Sequence, residues 1–156
     1  MLIRSLRDDE TGILKDFLYE AIFVPKGMTP PPRDIIDRPE LSLYYEDFGS
    51  FAGDNCVVAE CDGQVVGACW SRIMKDYGHI DDDTPSLAIS LYGDYRGRGI
   101  GAKLLASMLG LLRSQGYRRT SLAVQKANRA VGLYKKCGFA IIDSNDEEYI
   151  MACDLQ

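Results

Sequence analysis

The chain has 156 residues, a formal net charge of −5, and 46% hydrophobic and 26% charged residues, a composition typical of one globular domain. The acidic balance argues against nucleic acid or an anionic membrane as a partner, and it is compatible with a cationic substrate as well as with simple solubility. Without a signal-peptide core, a membrane-length apolar run or cysteine spacing typical of a zinc site, we expect a cytoplasmic protein with no metal.

The first part of the chain predicts a strand, a helix and an irregular loop. Alternating side chains over residues 2–7 predict a short strand, and apolar residues at helical spacing predict a helix over about 11–23. Several prolines make residues 24–40 an irregular loop. Residues 41–48 are predicted to form a short aromatic helix, which either packs into the core or covers a substrate pocket.

The second part predicts strands interrupted by helices. Residues 56–61 and 64–74 form a hairpin around an Asp-Gly turn. The later elements are a strand at 87–91, a helix at 99–115, a strand at 119–125, a helix at 128–137, and strands at 138–143 and 148–154. This order predicts one α/β domain over residues 1–156, whose mixed, mostly antiparallel central sheet has about seven strands and helices on both faces.

A glycine-rich turn joins the strand at 87–91 to the helix that follows it. The turn contains Arg96, Gly97, Arg98, Gly99, Ile100 and Gly101. Glycines allow a tight turn and a close approach of a ligand, while the helix start offers free N–H groups and positive potential. We therefore predict a pyrophosphate-binding turn rather than a turn with solvated arginines.

The same turn is compatible with the fingerprint of nicotinamide dinucleotide enzymes. That interpretation requires an early βαβ unit and an acidic residue about 20 positions further on. Here several predicted strands precede the turn, and residues 123–126 contain no carboxylate. The dinucleotide interpretation is therefore the weaker one.

Two motifs resemble those of the GNAT superfamily (GCN5-related N-acetyltransferases). Arg96-x-x-Gly99-x-Gly101, after the strand, is similar to that family's coenzyme A-binding motif. The second motif, similar to another GNAT signature, comprises Asn128, Ala130, Leu133, Tyr134, Gly138 and Phe139. The order of motifs and elements resembles the family over nearly the whole chain, although Gly93 stands where a proline often precedes the arginine turn.

The resemblance implies a GNAT-like fold and an N-acetyltransferase that binds acetyl-CoA as the acyl donor and a primary amine in one ternary complex. The amides of residues 96–101 would bind the pyrophosphate, Ile89 and Leu91 would pair with the pantetheine arm, and Asn128 would hydrogen-bond the coenzyme. The N–H of Leu91 would face the thioester oxygen. Tyr134 would stand near the sulfur and protonate the departing thiolate.

The acceptor and the general base stay open at this point. Base candidates are His79, Asp81, Asp82, Asp83, Glu46 and, through water, Ser90. Cys137 lies beside the second motif but lacks a histidine partner for a nucleophilic role. The irregular loop of residues 24–40 is expected to influence acceptor choice. A non-catalytic acetyl-CoA sensor is the alternative function. We expect neither nucleic acid nor membrane as a partner, and a homodimer stays open.

Overall fold

The computed structural model describes residues 1–156 and contains one seven-stranded sheet. The strands are β1 Leu2–Ser5, β2 Asn55–Cys61, β3 Gln64–Arg72, β4 Ser86–Leu91, β5 Arg119–Gln125, β6 Phe139–Ser144 and β7 Glu148–Asp154. The α-helices are α1 Ile13–Ala21, α2 Pro39–Ser42, α3 Ile100–Ser114 and α4 Ala130–Lys136. The spatial order is β1-β2-β3-β4-β5-β7-β6.

Every neighbouring pair of strands is antiparallel except β4 and β5, which are parallel. The predicted mixed, mostly antiparallel sheet of seven strands is therefore confirmed. Its parallel pair arises because α3 carries the chain from the end of β4 back to the start of β5. The single-domain organisation stays a prediction.

Two apolar clusters cover the two faces of the sheet. One cluster contains the buried face of α3, Tyr134 of α4, and alternate residues of the central strands. The other contains Leu14, Phe17 and Leu18 of α1 packed against Trp70 of β3. Because side chains alternate along a strand, β2, β3 and β4 contribute to both clusters. No helix combines the length and the apolar character needed to cross a membrane.

The aromatic segment at 41–48 differs from its prediction. The helix α2 ends at Ser42, and turns follow it. The guanidinium of Arg72 donates to the carbonyls of Leu43 and Glu46, which a longer helix would use for its own N–H groups. The aromatic side chains of this segment pack against the apolar cluster that contains Leu14, Phe17 and Leu18 of α1, in agreement with the core-packing alternative.

Candidate active site

The strands β4 and β5 separate almost as soon as they meet. They share one register pair, Ser86 with Ser121, and the N–H of Ser121 donates to the Pro85 carbonyl at 3.0 Å. On its other side β4 pairs with β3 along its whole length. Beyond the Ser86–Ser121 pair the sheet has a gap between β4 and β5, which we call the β4–β5 gap.

Hydrogen-bonding direction along β4 determines which groups face this gap. The N–H of Tyr92 donates to Val66 in β3, whereas the Pro85 carbonyl accepts a bond from β5. Because direction alternates with each residue, Ile89 and Leu91 turn their N–H and C=O groups toward β5. The gap therefore presents strand backbone that has no strand partner, which is suited to an extended ligand.

The turn at the end of β4 exposes a row of backbone donors. Gly97 and Gly99 have φ values of +76° and +81°, which favour glycine. The N–H groups of residues 97–102 donate to no group of the chain, and no side chain caps α3. A Cβ on either glycine would meet nothing within 4 Å, so the space in front of these donors is open. The turn can therefore accept an anion at the positive end of α3.

The two arginines of the turn have different surroundings. The Nε of Arg96 donates to the Leu91 carbonyl at 3.1 Å, and its Nη2 lies 3.5 Å from the Glu20 carboxylate. The guanidinium of Arg98 lies 5.3 Å from the centre of the Tyr95 ring. The N–H of Arg96 also bonds within the turn, to the carbonyl of Gly93 at 3.2 Å. The free backbone donors of the predicted turn accordingly begin at residue 97.

Tyr134 lies on α4 beneath the sheet and is 8% exposed. Burial is the main cause that raises the pKa of Tyr134, with smaller contributions from the thiols of Cys69 and Cys137. Cys69 pairs with Ile89 across β3 and β4, which puts the phenol at the level where β4 borders the gap. The hydroxyl has no hydrogen-bond partner in the chain and is not sealed from solvent. It is therefore a protonated donor that is free to bind a ligand.

Asn128 and Cys137 lie at the two ends of α4. The side-chain oxygen of Asn128 accepts a bond from the N–H of Ala130 at 2.9 Å and so starts the helix. Its amide nitrogen stays available for a ligand. Burial raises the pKa of Cys137. A raised pKa lowers the thiolate fraction, so Cys137 is poorly suited to a nucleophilic role.

Ser90 and His79, two of the predicted base candidates, are held by carbonyl groups. The Ser90 hydroxyl donates to the Phe17 carbonyl in α1 at 2.6 Å. The Nδ1 of His79 lies 2.9 Å from the Met74 carbonyl, and its Nε2 lies 3.5 Å from the Asp82 carboxylate. The Ser90 bond joins β4 to α1, so this hydroxyl is not free to contact an acceptor without breaking it. The contacts of His79 lie within the loop between β3 and β4.

The other predicted candidates lie in surface contacts. Asp81 binds Arg119 at 2.8 Å and Thr84 at 2.8 Å. The Arg119 guanidinium is the main cause that holds the pKa of Asp81 at about 2, which makes this carboxylate a weak base. Asp83 and Glu46 are exposed. The structure does not bring these acids together at the β4–β5 gap.

Two carboxylates that sequence reasoning did not single out lie close to the gap. Asp76, between β3 and β4, accepts hydrogen bonds from the hydroxyls of Tyr44 and Ser86, each at 2.8 Å. Glu148, the first residue of β7, stands opposite Gln125 of β5. Burial is the main cause that raises the pKa of each carboxylate. Neither residue belongs to a motif, and only the register of distant strands places the two acids on one face of the sheet.

Comparison with known proteins identifies relatives of the chain. The model of a family described as the acetyltransferase (GNAT) family matches residues 19–139. A protein of Bacillus subtilis, whose name proposes ribosomal protein bS18-alanine N-acetyltransferase activity, is 36% identical over 83 residues, or 53% of this chain and 51% of that protein. The chain spans about half the length of the curated relatives it matches.

Solved structures show the same fold at lower sequence identity. The ribosomal-protein-S18-alanine N-acetyltransferase of Escherichia coli has a TM-score of 0.69 at 18% identity, with 99% of this chain and 94% of that chain covered. The PaiA N-acetyltransferase of Thermoplasma acidophilum, solved in complex with coenzyme A, has a TM-score of 0.71 at 18% identity, with 98% of each chain covered. At this identity the likeness shows the fold alone.

Proposed function

Because the chain belongs to the GNAT family of acetyltransferases, we propose that it transfers the acetyl group of acetyl-CoA to a primary amine in a ternary complex. The observation that carries this proposal is the β4–β5 gap, with free anion-binding amides at one end and the unpartnered Tyr134 hydroxyl beneath it. The open space in front of Gly97 and Gly99 supports the fit of a pyrophosphate.

The residues around the gap have distinct proposed roles. The amides of residues 97–101 bind the pyrophosphate, and the side chain of Asn128 contacts the coenzyme. The backbone of Ile89 and Leu91 pairs with the pantetheine arm, and the Leu91 N–H stabilises the oxyanion that develops on the thioester. Tyr134 donates a hydrogen bond to the sulfur as negative charge develops there. Binding both substrates together replaces a bimolecular encounter with an oriented one.

We propose an α-amine as the acceptor in preference to a lysine side chain. The amine must be neutral before it attacks, which at pH 7 costs about 1 kcal/mol for an α-amine and about 4.6 kcal/mol for a lysine-like amine. The names of the relatives from B. subtilis and E. coli, which refer to alanine N-acetylation, support the same class. The proposed acceptor is the free N-terminus of a peptide or protein.

The loop of residues 24–40 is the proposed determinant of acceptor side-chain preference. It is held against α1, because Tyr19 donates to the Pro31 carbonyl at 2.6 Å and Arg33 forms an ion pair with Asp16. Replacing the loop with one of different sequence should change the acceptor profile. An unchanged profile contradicts this part of the proposal.

Thiol release from acetyl-CoA tests the proposed activity directly. We expect thiol release that depends on a peptide with a free N-terminal alanine. Release should be slower with an N-acetylated peptide whose only amine is a lysine side chain. Fast release with the lysine amine alone contradicts the acceptor class. Coenzyme binding without release for any amine favours the acetyl-CoA sensor instead.

Replacing Gly99 should weaken coenzyme binding. In Gly99→Ala the φ value of +81° becomes unfavourable by about 1–2 kcal/mol, and relaxation of that strain turns the amide donors away from the anion. We expect the dissociation constant of acetyl-CoA, measured by calorimetric titration, to rise about tenfold. Gly116→Ala is the matched control, since Gly116 has a φ of +89° at the far end of α3. Equal affinity in both variants contradicts the proposed turn.

A further inference from the structure

Asp76 and Glu148 lie on the same face of the sheet. Asp76 accepts the hydroxyl of Ser86, which pairs with Ser121, and residues paired across strands point to the same side. Gln125 follows Ser121 on that side of β5, and its partner across the strands is Glu148. The alternation of side chains therefore brings both acids to one face, beside the β4–β5 gap.

This face is the one that α1 covers, and Tyr134 lies on the other. Ser90 shares its direction with Ser86, and its hydroxyl binds Phe17 in α1. Tyr134 belongs to the cluster on the opposite face, which includes α3. The gap thus has a phenol on one side and two carboxylates on the other.

The segment that carries Asp76 is packed where the two strands separate. The hydroxyl of Ser121 donates to the Gly78 carbonyl at 2.7 Å. A Cβ on Gly78 would lie only 3.0 Å from the backbone nitrogen of Ala123, so this glycine rests directly on β5. Asp76 is therefore held at the end of the β4–β5 gap where the two strands meet.

Neither carboxylate has a cationic partner in the chain. The charged neighbours that act on Glu148 are the acids Glu147 and Asp76, and Asp76 is bonded by neutral hydroxyl and backbone groups. The nearby Lys126 lies 5.4 Å above the ring of Tyr149, which packs against the cluster on the opposite face. Partly buried carboxylates lose solvation without gaining an ion pair, an arrangement that a bound cation would relieve.

We propose that Glu148, with Asp76 on the same face, binds the positively charged acceptor amine on the side of the β4–β5 gap opposite Tyr134. The inference rests on the proposed function and assigns its acceptor side. Glu148 contacts the ammonium, because its carboxylate is hydrogen-bonded by the Asn145 side chain alone and by no hydroxyl. Asp76 is a positioning residue, because its two oxygens already accept Tyr44 and Ser86. Tyr134 is 8% exposed and its hydroxyl has no partner in the chain, which supports a ligand in the gap between the two faces.

The test compares Glu148→Gln with Glu147→Gln, which makes the same charge change at the exposed neighbouring residue. The probe is a short peptide with a free N-terminal alanine, titrated into each protein in the presence of coenzyme A. We expect Glu148→Gln to raise the dissociation constant and the KM of the peptide at least tenfold, with the acetyl-CoA KM changed less than twofold. Glu147→Gln should change none of these by more than twofold, and Glu148→Asp should recover part of the peptide affinity. Added salt should weaken peptide binding to the natural protein more than to Glu148→Gln.

The outcomes separate this inference from the proposed function. Thiol release with equal peptide affinity in the natural protein and Glu148→Gln overturns the inference and leaves the acetyltransferase proposal standing. Glu148-dependent peptide binding without thiol release for any amine supports the cation site and overturns the acetyltransferase proposal. Failure of the natural protein to bind the alanine peptide or any other cationic amine overturns the inference as well.

Discussion

Tyr134→Phe is expected to lower kcat by about 10²–10³-fold while the KM for acetyl-CoA changes less than about twofold. The variant removes one hydroxyl and keeps the ring, which lies 5.9 Å from the ring of Phe139. Since the hydroxyl is proposed to act on the sulfur only as charge develops, its loss should affect turnover rather than coenzyme binding.

The burial of Tyr134 limits how its hydroxyl can assist the departure of the thiolate. A tyrosine of ordinary pKa already protonates a thiolate uphill by about 2 kcal/mol, and burial raises the pKa of Tyr134 further. In its proposed role the phenol is therefore a hydrogen-bond donor to a nearly formed thiolate, and its raised pKa keeps it protonated throughout the neutral range. Ionisation of Tyr134 should consequently cause no loss of activity between pH 7 and about 9.

Stability measurements separate this role from simple packing. The hydroxyl has no hydrogen-bond partner in the chain, so Tyr134→Phe should leave the free energy of unfolding within about 0.5 kcal/mol. Tyr117→Phe, another tyrosine against the same apolar cluster, is the control and should keep full turnover. An unchanged kcat in Tyr134→Phe contradicts the proposed role, as does a loss matched by Tyr117→Phe.

Asp54→Ala should lower the free energy of unfolding by about 3–5 kcal/mol, because it leaves the guanidinium of Arg72 buried without its charge partner. The two side chains form a bidentate pair with both N–O distances at 2.9 Å, and Arg72 and Asp54 are 5% and 0% exposed. Arg72 also donates to the carbonyls of Leu43 and Glu46. The variant should therefore loosen the turns that carry Tyr44 toward Asp76.

Urea unfolding of Asp54→Ala and Asp16→Ala measures this difference. Asp16 pairs with Arg33 on the surface, where the side chains are 44% and 56% exposed, so its loss should cost no more than about 1 kcal/mol. A loss below about 1 kcal/mol in Asp54→Ala means that the buried pair contributes little net stability.

Local patterns were enough to predict most elements of the fold. The period-2 strands, the Asp-Gly hairpin and the long amphipathic helix after the glycine turn depend on neighbouring residues, and α3 and β5 begin and end within a residue or so of their predicted limits. The prediction of a helix over residues 41–48 was wrong, because the carbonyls of Leu43 and Glu46 accept hydrogen bonds from Arg72 in a distant strand. A local pattern contains no information about such a partner.

The sequence by itself determined the family, the sheet and the donor-rich turn, since each depends on residue types at short spacing and on glycines that adopt positive φ. Only the tertiary structure decided which strands fail to pair and which acids share a face. The β4–β5 gap exists because two strands far apart in the chain meet at Ser86 and Ser121 and then separate. Asp76 and Glu148 share one face through that register, and burial acts on their pKa values only after folding.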